Sequence, residues 1–530
     1  MDAQATSSES FTVSRLMREL VPEWEPERWF EWPPDLFALT SHLLRTTGIY
    51  RTAASLRPGE RSLDPLRWEQ ESRPVIQEWY NWIGGFRDAL PDRIAALKDT
   101  LTSELRLNCY GEDLPPELCR AILELHAYAD DACANFGFFS GSPAPMYFLA
   151  NLHLAATGSL SRIPKRHGVV LPKHRTPQTG LSPRSLSLHL TYHQSEVNVH
   201  WRTIPWVNRH RNENTLNVVV VPWPYQIRSS DFGRAAAAAA DAEREPFHYF
   251  RYASAEPLDP NRVLDLLAQV YREIDTVDLL VFPEVALTQD DLDALRRGLV
   301  ARFGADRMLP LVVAGVRGTR GELETNRVVL SAYFVGEWYE VGQDKHHRWK
   351  LDTEQIQTYG LAASLNVRHQ WWEAVDIPHR CLSFMVPNGW LNLCPLICED
   401  LARLEPVSDL IRGVGPTLVV AVLMDGPQIA DRWPARYVGV LADDPGTSVL
   451  SVTSLGMAKR SLPRNREVNL TTVGWKDRRT GWEPIRVPDG GDCAVLLTLN
   501  AEWVEEFAAD GRSDRGAASL VVFQNARCIT

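Results

Sequence analysis

A chain of 530 residues is longer than one hydrophobic core usually organises, so two domains, or one domain with a large elaboration, are expected. Hydrophobic residues make up 45% and charged residues 23%, a composition that excludes general disorder. The formal net charge of -11 argues against a surface built for nucleic-acid phosphates or anionic lipid.

Residues 1-200 read as a mainly helical, Trp-rich domain, with Trp24, Trp29, Trp32, Trp68, Trp79 and Trp82 in its first part. The segments PDRIAALKDTLTSELRL and PPELCRAILELHAYADDACANFGF carry apolar residues at three-to-four spacing, the mark of packed helices. Within the second, Tyr128 to Asp131 (YADD) matches a short polymerase box by chance, because that box needs a hairpin and this run is helical in pattern. The Pro-rich, basic stretch from Ser161 to Ser185 has no period and reads as a linker or solvated surface loop, although Lys165, Arg166 and Lys173 offer cations to phosphates. SLSLHLTYHQSEVNVHW then alternates like a hairpin or edge pair.

The character changes near residue 215, where NVVVVPWP has the continuous β-branched run of a strand buried on both faces. The tract Ala235 to Ala240 suggests a helix or an insertion, with no function assigned. Helices (NRVLDLLAQVYREI, DDLDALRRGLVARFG) then alternate with strands (VDLLVFPE, LPLVVAGVRG), followed by the hairpin NRVVLSAYFVGEWYEV. LNLCPLICED, TLVVAVLM, TSVLSVTS, CAVLLTLN and ASLVVFQN are strands by composition. Residues 201-530 are therefore expected to form a layered α/β sandwich.

Three strand ends draw attention, since catalytic side chains sit where rigid strands open into loops. They are Glu284 after LLVFP, Lys345 in QDKHHRWK, and Cys398 in LICED. Hydrolysing an amide or nitrile near neutral pH needs a strong nucleophile, and a thiol becomes one when a base removes its proton or a nearby charge lowers its pKa. Glu284 is the candidate base, and Lys345 the candidate cation beside the developing oxyanion. Cys394 reads as a small buried hydrophobe, and Lys350 is the rival of Lys345. Adjacent His346 and His347 tempt a metal reading, but in a strand they would point to opposite faces, and no metal is expected. None of the eight cysteines forms a C-x-x-C pair.

In this order and setting the residues resemble the nitrilase, or carbon–nitrogen hydrolase, superfamily over roughly residues 215 to 530. Asn326 before a strand and Gly336 in the hairpin turn fit that pattern, and Cys398 to Arg403 (CEDLAR) resembles its cysteine run, especially the form in glutamine amidohydrolase domains of NAD synthetases. The resemblance implies an α-β-β-α sandwich and a cysteinyl thioester intermediate, with an amide preferred to a nitrile as substrate. It also implies that Glu354, nine residues after Lys345, holds the lysine and the substrate. Glu399, whose backbone N–H would face the oxyanion, Asp400, Arg432 and Trp433 border the substrate by the same resemblance. No organic cofactor is expected, the partners are a small-molecule amide or nitrile and a second copy of the chain as homodimer or higher oligomer, and nucleic acid and membrane are not expected.

Two alternatives stay open: a catalytically lapsed binding or regulatory protein on the same fold, and an acyltransferase using the same cysteine. The start MDAQATSSES lacks the features of a signal peptide, and no apolar run approaches the ~20 residues that span a bilayer. A reducing cytoplasm is the expected setting.

Overall fold

The short β-branched runs become strands of two seven-stranded sheets in the computed structural model. It describes residues 11–54, 63–103, 106–107, 115–138, 145–194, 196–204, 214–235, 247–377, 380–461, 470–490 and 492–530, so most of the alanine tract lies outside the described residues. By contacts the chain divides into two units, Met1–Glu196 with Arg412–Gly415 and Trp503–Ala518, and Val197–Ile411 with Pro416–Glu502 and Ser519–Thr530.

The first unit holds helices Val13–Leu20, Pro33–Thr47, Pro65–Ile83, Asp92–Thr102, Pro116–Asp131 and Pro145–Thr157. Pro33–Thr47 has proline at its first turn, where the missing N–H costs nothing, and ends at Gly48 with φ +72°. The YADD carboxylates are structural: Asp130 accepts the backbone N–H groups of Leu188, His189 and Leu190, and both aspartates pair with Arg512. The basic stretch is not the solvated loop expected. Lys173 and Arg175 are buried, Lys173 Nζ donating to Ser187 O at 2.7 Å and Arg175 Nε to Glu506 at 2.6 Å. Nor do LTYH and NVHWRT form a hairpin: Leu190–His193 pairs with Val169–Pro172, whereas Asn198–Thr203 runs parallel to Cys381–Val386 in the second unit.

In the second unit one sheet runs in the order Glu337–Asp344, Leu323–Phe334, Leu311–Arg320, Leu279–Thr288, Thr215–Val220, Ala494–Val504, Ala518–Ile529. The other runs Glu483–Arg486, Thr471–Lys476, Ser448–Thr453, Leu418–Leu423, Leu393–Ile397, Cys381–Val386, Asn198–Thr203. Central strands such as Leu418–Leu423 and Ser448–Thr453 are buried at every position, as their unbroken apolar sequences require. The sheets face one another, and buried Gln343 joins them by donating to Pro395 O (2.9 Å) and accepting from Ser383 N–H (2.8 Å). Helix Gln289–Phe303 covers the first sheet and Trp433–Asp443 the second, giving helix, sheet, sheet, helix.

A four-stranded sheet of Lys350–Leu351, Gln370–Glu373, Phe247–Tyr252 and Phe232–Arg234 adds a third element. Its Phe232, Phe250 and Trp371 pack with Trp349, Tyr359, Val285 and Met424 into one apolar cluster. Among the described residues no helix is long and apolar enough to cross a membrane, and no group of His, Cys, Asp and Glu is placed to hold a metal ion.

Candidate active site

Glu284 sits in a bulge of the Leu279–Thr288 strand. Phe282 pairs with Ala314 and Leu287 with Val316, so four residues on one strand face Gly315 on the other. The next residue, Val285, has φ +47°, a sterically costly conformation for a β-branched side chain. Gly315 allows the bulge to close, since a Cβ there would lie 2.5 Å from Glu284 Cα and 2.7 Å from Val285 N.

Lys345 follows the last residue of Glu337–Asp344 and is 1% exposed on its side chain. Its Nζ donates to Glu284 Oε1 at 2.8 Å and to Glu373 Oε2 at 2.6 Å. Asn326 Nδ2 donates to the same two carboxylates, at 2.7 and 2.8 Å, and Trp349 N–H reaches Glu373 Oε2 at 3.0 Å. Lys350 is exposed and stacks over Trp372, so Lys345 is the buried cation.

Cys398 follows the strand Leu393–Ile397 as the first residue of a short turn, is 3% exposed and has φ +44°. Burial, then the Glu284 carboxylate, push its thiol well above the ordinary range; the Lys345 ammonium and the Met424 N–H pull it back incompletely. Burial raises Glu284 as well, with Lys345 opposing and Glu373 adding to the rise. For Lys345, burial pushes down, but Glu284, Glu373 and Cys398 outweigh it and hold the ammonium well above the usual lysine range. The thiol of Cys398 thus lies within electrostatic reach of an ammonium that donates to two carboxyl groups. Glu284 Oε2 is buried with no hydrogen-bond partner, which leaves it able to receive a proton. Cys394 is fully buried, its thiol pushed up by burial, and it points to Pro395 O.

Other expected site residues fall elsewhere. Glu354 lies exposed on helix Thr353–Thr358, and the second carboxylate on Lys345 is Glu373, which sequence reasoning missed. Glu399 pairs with Arg403. Asp400 is buried and accepts from His346 N–H (3.1 Å) and His347 Nδ1 (2.8 Å), tying the turn after the cysteine to the turn after the lysine. Those histidines occupy a bend rather than a strand, and His346 Nε2 lies 2.8 Å from Cys381 O. Arg432 spends its charge on buried Asp425 and donates to Tyr359 Oη at 3.1 Å, so it is not a free substrate contact. Tyr359 Oη donates to Asp425 at 2.5 Å, and burial pushes its pKa well above 10.0. Trp433 is half-buried at the start of its helix, with its ring against Tyr437.

A cavity of about 20 Å³ adjoins the cluster, lined in part by Val285, Asn326, Glu373, Trp349 and Met424.

No family model and no curated protein matches the sequence. Solved structures similar to the chain include Nit3 of Saccharomyces cerevisiae, described as a member of branch 10 of the nitrilase superfamily, at 10% identity over 54% of this chain and 90% of that one, TM-score 0.31. A glutamine-dependent NAD(+) synthetase from Cytophaga hutchinsonii is 10% identical over 59% of this chain and 43% of its own length, TM-score 0.25. The C. elegans NitFhit protein is 10% identical over 51% of this chain and 60% of its own, TM-score 0.29. The chain therefore spans less than two thirds of the second and third.

Proposed function

We propose that this chain is a carbon–nitrogen hydrolase of the nitrilase type that cleaves a non-peptide amide through a cysteinyl thioester. The observation that carries the reading is the buried Lys345 ammonium held between Glu284 and Glu373, with its charge acting on the Cys398 thiol. A lysine so confined cannot serve solubility, and a catalytic electrostatic role accounts for its burial.

In the first half-reaction Glu284 takes the Cys398 proton as sulfur attacks the carbonyl carbon, and Lys345 faces the oxygen that becomes negative. Protonated Glu284 then gives that proton to the nitrogen, the C–N bond breaks, and ammonia or an amine leaves. Water next attacks the thioester carbon and yields its proton to Glu284. The C–S bond breaks, the sulfur regains a proton, and a carboxylic acid departs. Glu373 and Asn326 position the lysine and the base through these steps. An upward-shifted Glu284 suits a group that must both accept and return a proton.

Intact-mass measurement after incubation with an amide panel or an electrophilic probe tests the assignment. One adduct, lost in Cys398→Ala and slowed in Glu284→Gln, is the expected result, and labelling of Cys394 instead would overturn it.

A further inference from the structure

Three elements of the first unit enclose a cavity of about 250 Å³. Helix Pro33–Thr47 presents Phe37, Ser41 and Arg45 to it, spaced four residues apart and so aligned on one face. The turn Pro183–Leu186 brings Arg184, and strand Leu190–His193 brings Thr191 and Tyr192. The space is far larger than the ~10–15 Å³ that one water requires. Among the described residues no carboxylate lines it, although Asp and Glu outnumber Lys and Arg in the chain by 67 to 56.

Ser41 is the first sign that something enters this space. Thr40, Thr46 and Thr47 of the same helix each donate to the carbonyl four residues back, at 2.7 to 2.9 Å. Ser41 is only 3% exposed, yet among the described residues its Oγ has no hydrogen-bond partner. A buried hydroxyl left so is costly unless an occupant of the cavity pairs with it. Water would satisfy the hydroxyl alone, and the surrounding charge decides for an anion.

Arg45 is exposed, lies 6.0 Å over the Tyr192 ring, and among the described residues closes no ion pair within 4.0 Å. Arg184 is half-buried on a turn that is held from both sides. Ser182 N–H donates to Ser185 Oγ at 2.9 Å, and buried Lys173 donates to Arg184 O and to Ser187 O and Oγ, the latter two at 2.7 and 2.8 Å. Thr191 Oγ1 lies 3.1 Å from Nε2 of buried His193, whose pKa is held well below 6.5 by burial first and then by Arg184, Arg45 and Lys173. Three cations therefore act on one region, and neither arginine has a part in the chemistry proposed above. A phosphate monoester carries close to two negative charges and three strong acceptor oxygens, which suit two guanidinium forks and several hydroxyls better than a single carboxylate does. Pro183 and the Tyr192 ring give an organic group apolar surface beside those donors. We propose that this cavity binds a small phosphomonoester, with Arg45 and Arg184 on the phosphate oxygens, Ser41 donating to them, and the organic part against Pro183 and Tyr192.

Isothermal titration of the full-length protein with glycerol 3-phosphate, inorganic phosphate, glycerate and glycerol tests the assignment. Glycerol 3-phosphate should bind in the submillimolar range, about tenfold tighter than inorganic phosphate or glycerate, and glycerol should give no heat. Arg45→Gln, at an exposed position where folding is not at stake, and Arg184→Gln should each weaken binding by about tenfold to a hundredfold, with Arg45→Lys recovering part of the loss. Ser41→Ala should weaken it about threefold to tenfold while leaving the melting temperature of the free protein unchanged or raised; a purely structural serine would lower that temperature and leave binding alone. Absence of binding by glycerol 3-phosphate, equal binding of inorganic phosphate or glycerate, or full affinity in Arg45→Gln and Arg184→Gln would each overturn the inference.

Discussion

Substituting Gly315 by alanine probes whether the site depends on the bulge that carries Glu284. The new Cβ would stand 2.5 Å from Glu284 Cα and 2.7 Å from Val285 N, and closer still to Pro283 O. All three are backbone atoms, so no side chain can rotate aside and the bulge itself must shift by roughly 1 Å to regain van der Waals distance. Overpacking of this kind costs about 1–3 kcal/mol. A displacement near 1 Å at a catalytic group lowers the rate by about a hundredfold. Gly318, three residues along the same strand, is the control, because a Cβ there meets only Thr325 Oγ1 at 3.3 Å. Urea unfolding gives the stability change, and the rates of Cys398 alkylation and of ammonia release give the chemical one. A Gly315→Ala protein that unfolds like the parent and reacts at the parent's rate would refute the reasoning.

Glu373→Gln should lower turnover by about a hundredfold to a thousandfold, whereas Glu354→Gln should leave it within about twofold, as steady-state kinetics will show. Because burial raises Glu284, it keeps its proton above the usual glutamate range, so activity should rise with pH through an acid limb displaced upward. Glu373 contributes to that rise, and the limb should move to lower pH in Glu373→Gln, read from pH–rate profiles. In the first unit, Arg512→Ala strands Asp130 and Asp510 without their buried partner and should cost about 3–5 kcal/mol in chemical denaturation.

Sequence singled out Glu284, Lys345 and Cys398 by one signal, a chemical group at the end of an apolar strand, and the fold brings Lys345 within 2.8 Å of Glu284 and leaves Cys398 near enough to feel both charges. Counting along the chain failed for the second carboxylate. Glu354 is nine residues from Lys345 but faces solvent, while Glu373 is twenty-eight away and arrives because Gln370–Glu373 runs parallel to Phe247–Tyr252. That pairing joins segments more than a hundred residues apart in the chain, and no local pattern encodes it. An available hint was QWWE itself, an acid closing a short aromatic strand whose side chains alternate in burial. Similar logic explains the hairpin that was not one. LTYH and NVHWRT both alternate acceptably, yet each finds its partner far from the other, since β pattern fixes the face a residue presents and leaves the neighbour open. The basic stretch misled for another reason: composition reports charge, and Lys173 and Arg175 are buried because carbonyls and Glu506 receive them.

The balance of costs around Lys345 favours chemistry over architecture as the reason for the cluster. One ammonium against two carboxyl groups, with Lys345 and Glu284 fully buried and Glu373 largely so, leaves excess negative charge where desolvation is expensive, and replacement of buried ion pairs by apolar groups is often neutral or stabilising. Two further costs lie beside it, the positive φ values of Val285 and Cys398, each worth about 1–3 kcal/mol in non-glycine residues. A scaffold selected for stability alone would relax all three. They persist together at one point because strands pinned on both faces hold the bulge and the strand end in place, and the same rigidity would keep Glu284, Lys345 and Cys398 from reorganising in the proposed proton transfers. On the proposed reading, strain and buried charge are thus two expressions of one device, a site whose electrostatics are fixed before a substrate arrives.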